Sequence, residues 1–440
     1  MTKKSCLLLL CLLCSGALCA QTLDTNKLNR YFDLLETNNK FMGSIAVSKE
    51  GKIIYTRSIG FADIAQQLKA DQKTKYRIGS ISKTFTAVLV MKAVEDGRLN
   101  LNQTIGKFFP AVKNSSVITI RQLLSHRSGI HNFTDNDDYT AWNTTPQNQA
   151  QMLKIIAAGG SDFDSDTKSA YSNTNYVLLS YILQKVYKKS FSEILSRYIT
   201  KPLALNNTYV GSKINPANNE ARSYTFDGQW KVSTETDLSI PMGAGGIVSN
   251  PVDITKFSHA LFSGKLLNDK TIALMETIKD GYGLGLLSQQ FFDKKGYGHR
   301  GGIDAFTSVF TYFPQDKISF SLTSNGSNYN SNEIPMAVLS SVFNKPFELP
   351  DFASYEVKDA DLDQYTGIYA SEKIPLKLTV TKEKNQLLAQ ASGQSAMPLE
   401  AAGKNKFKIT KAGIVMEFDP AQKTMLLKQG GGEFKFERQP

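Results

Sequence analysis

The stretch Tyr76-Arg77-Ile78-Gly79-Ser80-Ile81-Ser82-Lys83-Thr84-Phe85-Thr86 constrains this chain more than any other. It reads as a short extended lead-in, a Gly, and then the first turn of a helix. Apolar residues follow at helical spacing, at Phe85, Val88, Leu89 and Ala93. Such a helix is expected to be buried, with Ser80 and Lys83 at its head. Residues three apart share a helix face, so the Lys amine can lie beside the Ser hydroxyl. A serine alcohol is a weak nucleophile and needs a base within hydrogen-bond reach. The helix start adds unpaired N–H groups and a positive dipole end, both suited to an oxyanion. Ser165-Asp166-Thr167-Lys168 repeats the spacing, but it lies in a polar run with no apolar helix behind it and reads as a loop.

Lys3 and Lys4, the apolar run from Cys6 to Leu13, and Leu18-Cys19-Ala20 read as an export signal over residues 1–20, leaving Gln21 first. The run is too short for a membrane span, and no later stretch is long and apolar enough for one. Leu18 before Cys19 and Leu13 before Cys14 argue against a lipidated cysteine. Cys6, Cys11, Cys14 and Cys19 are the only cysteines, so the exported chain has no disulfide, thiolate metal site or cysteine nucleophile. It must be held together by its core. With 440 residues, 41% of them hydrophobic, there is chain for one large domain and a small one. The net charge of +11 is scattered rather than clustered, which does not point to nucleic acid. The expected location is periplasmic or extracellular.

Asn26 to Glu36 puts Leu28, Tyr31, Phe32 and Leu35 on one helix face. Ser44–Ser48 and Lys52–Thr56 flank Lys49-Glu50-Gly51 as a hairpin. A short helix is expected from Thr119 to His126. Thr134 to Ser169 reads as polar and loop-rich, and a helix follows from about Asn175 to Lys188. Asn250-Pro251 opens another helix, with Pro in its first turn. Gly281 to Leu286 reads as a Gly-rich strand. Thr307–Tyr312 and Ile318–Thr323 read as antiparallel neighbours, and a helix returns from Glu333 to Phe343. His126 and His131 lack a third ligand at metal spacing, so no metal is expected and His126 reads as a packed or capping residue. From Leu362 onward the chain alternates apolar and polar in short runs, a small all-β unit.

Three pieces fall in order: Ser80-x-x-Lys83, Tyr171-Ser172-Asn173 and His299-Arg300-Gly301. Together they resemble the serine β-lactamase and penicillin-binding protein family, in its class C branch with D-alanyl-D-alanine carboxypeptidases and esterases. The resemblance covers roughly residues 25 to 345. It implies an α/β (α+β) fold: an antiparallel sheet flanked by helices, with an all-helical subdomain and then a small all-β C-terminal domain. The implied divisions are a hydrolase domain over 21–348 and a β-barrel-like domain over 355–440. Carried over, Ser80 is the acylated nucleophile, and Lys83 and Tyr171 share the proton work. Asn173 bonds Lys83 and the substrate amide. The backbone N–H groups of Ser80 and Gly302 form the oxyanion hole. His299, Arg300 and Gly301 line the far wall, where Arg300 either holds a substrate carboxylate or turns outward along the alternating strand. No cofactor is implied. The substrate is expected to be a D-amino-acid peptide such as a peptidoglycan stem, with a β-lactam or a small ester as alternatives. A catalytically silent penicillin- or peptidoglycan-binding protein is the reading from another class. The usual Lys-Thr-Gly of β-lactamases is His299-Arg300-Gly301 here, which leans toward the carboxypeptidase and esterase side.

Overall fold

The computed structural model describes residues 23–353, 355–429 and 432–440. The expected export signal, its four cysteines and Gln21 lie outside those residues. Asp24 accepts a hydrogen bond from the Lys27 N–H at 2.9 Å and so starts helix α1 (Thr25–Thr37). α1 buries Leu28, Tyr31, Phe32 and Leu35, the face its spacing predicts. The hairpin follows as β1 (Phe41–Lys49) and β2 (Lys52–Ile59). The Ser80 segment runs into α2 (Ser82–Glu95). Then come α3 (Ile120–Leu124), α4 (Gln149–Gly159), α5 (Asn173–Tyr187) and α6 (Pro251–Phe262). The large lobe ends with β3 (Leu287–Phe291), β4 (Lys294–Ile303), β5 (Phe306–Phe313), β6 (Ile318–Ser327) and α7 (Glu333–Val342).

These six strands form one antiparallel sheet in the order β3-β4-β5-β6-β1-β2. The N-terminal hairpin therefore pairs with the last strand, Phe41 opposite Ser327 and Lys49 opposite Ile318. β6 is buried from Ile318 to Gly326, as a strand covered on both faces should be. α1 and α7 share a core with β1, β2, β5 and β6 on one side. α2, α5 and α6 pack into a larger core on the other.

α2 is buried almost all round from Ser82 to Met91, which places it inside the lobe rather than on its surface. Its Phe85 ring stacks on Phe257 of α6 with centroids 3.7 Å apart. Its hydroxyls find backbone partners on neighbouring segments: Ser82 Oγ accepts from the Ile247 N–H at 3.1 Å, Thr84 donates to the Gly285 carbonyl at 2.8 Å, and Thr86 donates to the Gly243 carbonyl at 2.7 Å. Buried hydroxyls left without partners would oppose this burial.

Two expectations need correction. Gly281–Leu286 is not a strand, because regular structure begins at Leu287. Gly281 and Gly285 have φ of 87° and 77°, outside the extended region. A Cβ on Gly285 would stand 2.3 Å from the Ala87 Cβ, so this segment is a close collar around α2. The second is the polar run from Thr134 to Ser169, which contains α4. Asn148 and Gln151 form a capping box there, and Met152 and Ile156 are buried behind it. Ser165 does lie in a turn.

Nine short strands between Gly367 and Arg438 make a separate near-barrel sheet. Its first and last strands pair, Tyr369 opposite Arg438 and Ala370 opposite Glu437. Tyr365, Leu378, Val380, Phe407, Phe418 and Phe436 fill its interior, a core of its own. The chain is thus a mixed helix and antiparallel-sheet lobe followed by a small all-β unit, as the sequence predicts. Among the described residues no helix is long and apolar enough to cross a membrane.

Candidate active site

Ser80 sits in one 3₁₀ turn, Gly79–Ile81, that runs straight into α2. Gly79 has φ of 50°, and a Cβ there would fall 2.8 Å from the Gly302 nitrogen. Only a residue without a side chain lets the Ser80 turn lie against β4. The lead-in strand Tyr76–Arg77 belongs to a different sheet, where it pairs with Ile247–Ser249.

Lys83 is fully buried, with Nζ 3.0 Å from Ser80 Oγ, 2.8 Å from Asn173 Oδ1 and 2.8 Å from the Ala244 carbonyl oxygen. Burial holds its amine well below the usual lysine range. A neutral amine offers two N–H donors and one lone pair. The two amide oxygens can only accept, so they take the two donors. The lone pair is left facing the Ser80 hydroxyl. From the other side the Tyr171 hydroxyl donates to Ser80 Oγ at 2.7 Å. Burial raises Tyr171 above the usual phenol range, against the opposing bond to Ser80 and with a smaller push from Tyr282. The phenol therefore keeps its proton, and the chain runs from Tyr171 through Ser80 to Lys83.

Asn173 begins α5, one residue after Ser172. Its N–H donates to Asn132 Oδ1 at 2.9 Å and its side-chain amide to Thr134 Oγ1 at 3.1 Å, which leaves its oxygen for Lys83. Sequence reasoning passed over Asn132 and Thr134, since a polar loop gives no periodic signal for such contacts. His126 is packed, as expected. It is buried at φ of 55°, its ring lies 4.5 Å from that of Tyr171, and Nδ1 accepts the Ser172 N–H at 3.1 Å. Burial, then the neighbouring Lys83 and His299, keep it neutral. Tyr282 closes on the same imidazole at 5.0 Å. Arg127 donates to Asp166 at 2.5 Å and also to Asp280, holding the loops that lead to Tyr171 and Tyr282. His131 bonds Asp162 and Asn136 instead of sharing a ligand with His126.

His299 is buried on β4, with Nδ1 2.6 Å from the Arg300 carbonyl oxygen, so Nδ1 carries the proton. Burial, then Lys83, push it down to about 4. Gly301 shares its strand face, where a Cβ would come within 2.1 Å of the Ile78 carbonyl oxygen. Ser308 also donates to that oxygen, at 2.8 Å. Arg300 is turned the other way. It is exposed, and its guanidinium donates to Asn332 Oδ1 at 3.2 Å, at the start of α7. The inward reading of Arg300 is thus corrected by strand alternation. Ser80, Lys83, Tyr171 and Asn173 come together, with Gly301, Gly302 and His299 on the facing strand, while Arg300 stays outside.

Residues 34–340 match the family model described as Beta-lactamase. A teichoic acid D-alanine hydrolase of Staphylococcus aureus is 26% identical over 314 residues, covering 69% of this chain and 74% of that one. The D-amino acid amidase of Ochrobactrum anthropi SV3 superposes with a TM-score of 0.64 at 27% identity, over 73% of this chain and 99% of that one. An octameric penicillin-binding protein homologue from Pyrococcus abyssi superposes with a TM-score of 0.68 over 94% of this chain and 99% of that one; at 24% identity the likeness is one of fold.

Proposed function

The chain belongs to the β-lactamase family, whose relatives are serine hydrolases, and from that premise we propose that it hydrolyses esters and amides of D-amino acids through an acyl-Ser80 intermediate. The observation that carries this reading is the hydrogen-bonded chain from Tyr171 through Ser80 to a buried Lys83 whose amine burial holds well below the usual lysine range. Lys83 takes the Ser80 proton as Oγ attacks the carbonyl carbon. The tetrahedral oxyanion lies between the N–H groups of Ser80 and Gly302. As the bond to the leaving group breaks, the Tyr171 hydroxyl gives it a proton, and the proton that Lys83 took from Ser80 restores the phenol. Water then repeats the sequence on the acyl-enzyme. A silent binding protein would have no use for such a chain.

The choice among substrates rests on charge. A peptide ending in D-alanine and a β-lactam both carry a free carboxylate. Of the basic groups expected at the site, Lys83 is held well below the usual lysine range by burial, His299 is pushed down to about 4, and Arg300 points to Asn332. None offers a cation to a carboxylate, so a neutral leaving group is favoured over a carboxypeptidase substrate. The relatives named for D-alanine hydrolysis and D-amino acid amidase activity support the D-amino acid half of the substrate. The export signal expected over residues 1–20 supports action outside the inner membrane.

The test uses D-alanine methyl ester, D-alanine amide and D-alanyl-D-alanine with the exported form of the protein. Ester and amide should turn over with an acyl adduct on Ser80, and the free acid should be much slower. Ser80→Ala should abolish both adduct and turnover. Turnover persisting in that variant would refute the nucleophile, and a preference for the free acid would refute the charge argument.

A further inference from the structure

The oxyanion hole assigned above joins two sheets that share no strand pairing. The Ser80 lead-in belongs to a three-stranded sheet, and Gly302 belongs to the six-stranded one. Something other than a ladder has to set the two N–H groups at the right separation. We propose that Arg77, through its buried ion pair with Asp304, is the positioning residue that aligns the hole; this rests on the acyl-Ser80 reading.

Arg77 is 3% exposed and lies two residues before Gly79. Asp304 lies two residues after Gly302, in the turn between β4 and β5, and its side chain is 2% exposed. Gly79 and Gly302 touch, while Arg77 and Asp304 pair at 3.0 Å. The same two-residue step on both chains thus separates the contact at the site from the charged pin beside it. A second, neutral pin stands between them, where Ser308 donates to the Ile78 carbonyl.

The guanidinium reaches further than Asp304. It donates to the Thr236 carbonyl at 2.6 Å, the Ser212 carbonyl at 3.0 Å and Glu235 at 2.6 Å. Asp304 in turn accepts the Thr236 N–H at 2.9 Å, and Glu235 accepts the Ile214 N–H at 2.6 Å. One planar fork therefore ties the Ser80 strand, the β4–β5 turn and two wall segments into one unit. A lysine, with a single point charge, cannot meet all four acceptors. No part of this unit holds a proton for the reaction, so its effect must come through placement.

Placement of oxyanion donors acts on the tetrahedral state and not on ground-state binding. Losing a single oxyanion donor outright costs roughly 10²–10³ in kcat, so a misplaced pair should cost about tenfold or more. The experiment compares the wild type with Asp304→Asn and Arg77→Lys on D-alanine methyl ester. It measures kcat, KM, inhibition by the boronic acid analogue of D-alanine, and inhibition by D-alanine itself, with circular dichroism to check the fold. Both variants should lose kcat and boronate affinity in parallel by about tenfold or more, while KM and D-alanine affinity stay within about threefold. Folded variants with unchanged kcat and boronate affinity would overturn the proposal, as would equal losses in boronate and D-alanine affinity. If burial of an unpaired charge prevents either from folding, Glu235→Gln removes one charge and keeps the remaining acceptors, and a loss of boronate affinity with D-alanine affinity kept is again required. A wild type that forms no acyl adduct would instead fail the acyl-Ser80 reading itself.

Discussion

Lys83 should govern the acid limb of the rate profile. Its ammonium form has no lone pair for the Ser80 proton, so activity falls as pH drops through its pKa. Burial has moved that pKa well below 10.5, and Tyr171 loses its proton only above the usual phenol range. The profile of kcat/KM for a D-alanine ester should therefore be high at neutral pH, with its alkaline fall above pH 10 or so. A profile that rises only near pH 10.5 would sink the neutral-lysine reading. Lys83→Arg, permanently charged, should lose roughly 10²–10⁴ in kcat. His299 makes a separate claim on stability. Its folded pKa of about 4 lies below the unfolded value of 6.5, so the unfolded state binds more protons between those limits. Stability should be full above pH 6.5 and fall by about 3 kcal/mol as pH drops to 4, which denaturant melts across that window can measure. His299→Gln should remove that part of the slope and leave the part due to the buried, neutral His126. At this scale the pairing of Ser80 with Lys83 was legible from helical spacing, whereas Tyr171 and Asn173 were placed beside them only by the family resemblance. Arg300 was not, because a strand exchanges faces at every residue and its face depends on a register that spacing alone does not give.

Elements meet at the site through backbone, and glycine makes that possible. Gly301→Ala would drive a methyl to within 2.1 Å of the Ile78 carbonyl oxygen, with Ser308 Oγ at 2.4 Å. Neither neighbour is free to leave, since they bond each other. The variant should lose about 1–3 kcal/mol of stability and much of its turnover. Gly160→Ala, at the end of α4, is the control: it strains a φ of 70° but meets only the Lys113 Cδ, at 3.9 Å. It should lower the melting temperature while leaving kcat unchanged. Equal kinetic effects at the two positions would deny Gly301 its special place. Element by element, α1, the first hairpin and α6 were readable from periodicity and caps. The collar at Gly281–Leu286 was not, because alternating glycines imitate a strand while their φ values of 87° and 77° at Gly281 and Gly285 forbid one. α4 was hidden by the polar residues around it, although Asn148 and Gln151 announce its start.

For the whole molecule, the C-terminal unit has a core separate from both cores of the large lobe. We expect a chain ending near residue 350 to fold and to take up an acyl group from a small ester within several-fold of the full protein. A folded truncation with no activity would mean that the barrel shapes the site. The change to alternating short runs made this unit visible in the sequence. The pairing of its first and last strands was not visible, since it leaves no local mark in the sequence. The large sheet has a similar property with a different outcome. β1 is made early, yet its partner β6 exists only after everything between residues 49 and 318 has been synthesised. Until then the middle of the sheet has a missing neighbour, and the early hairpin is a marginal fragment in water. A nascent chain of this kind therefore carries no finished central sheet until most of the large lobe has been made. The late strand acts as a timer, deferring closure of the large sheet until the chain has been made past residue 318.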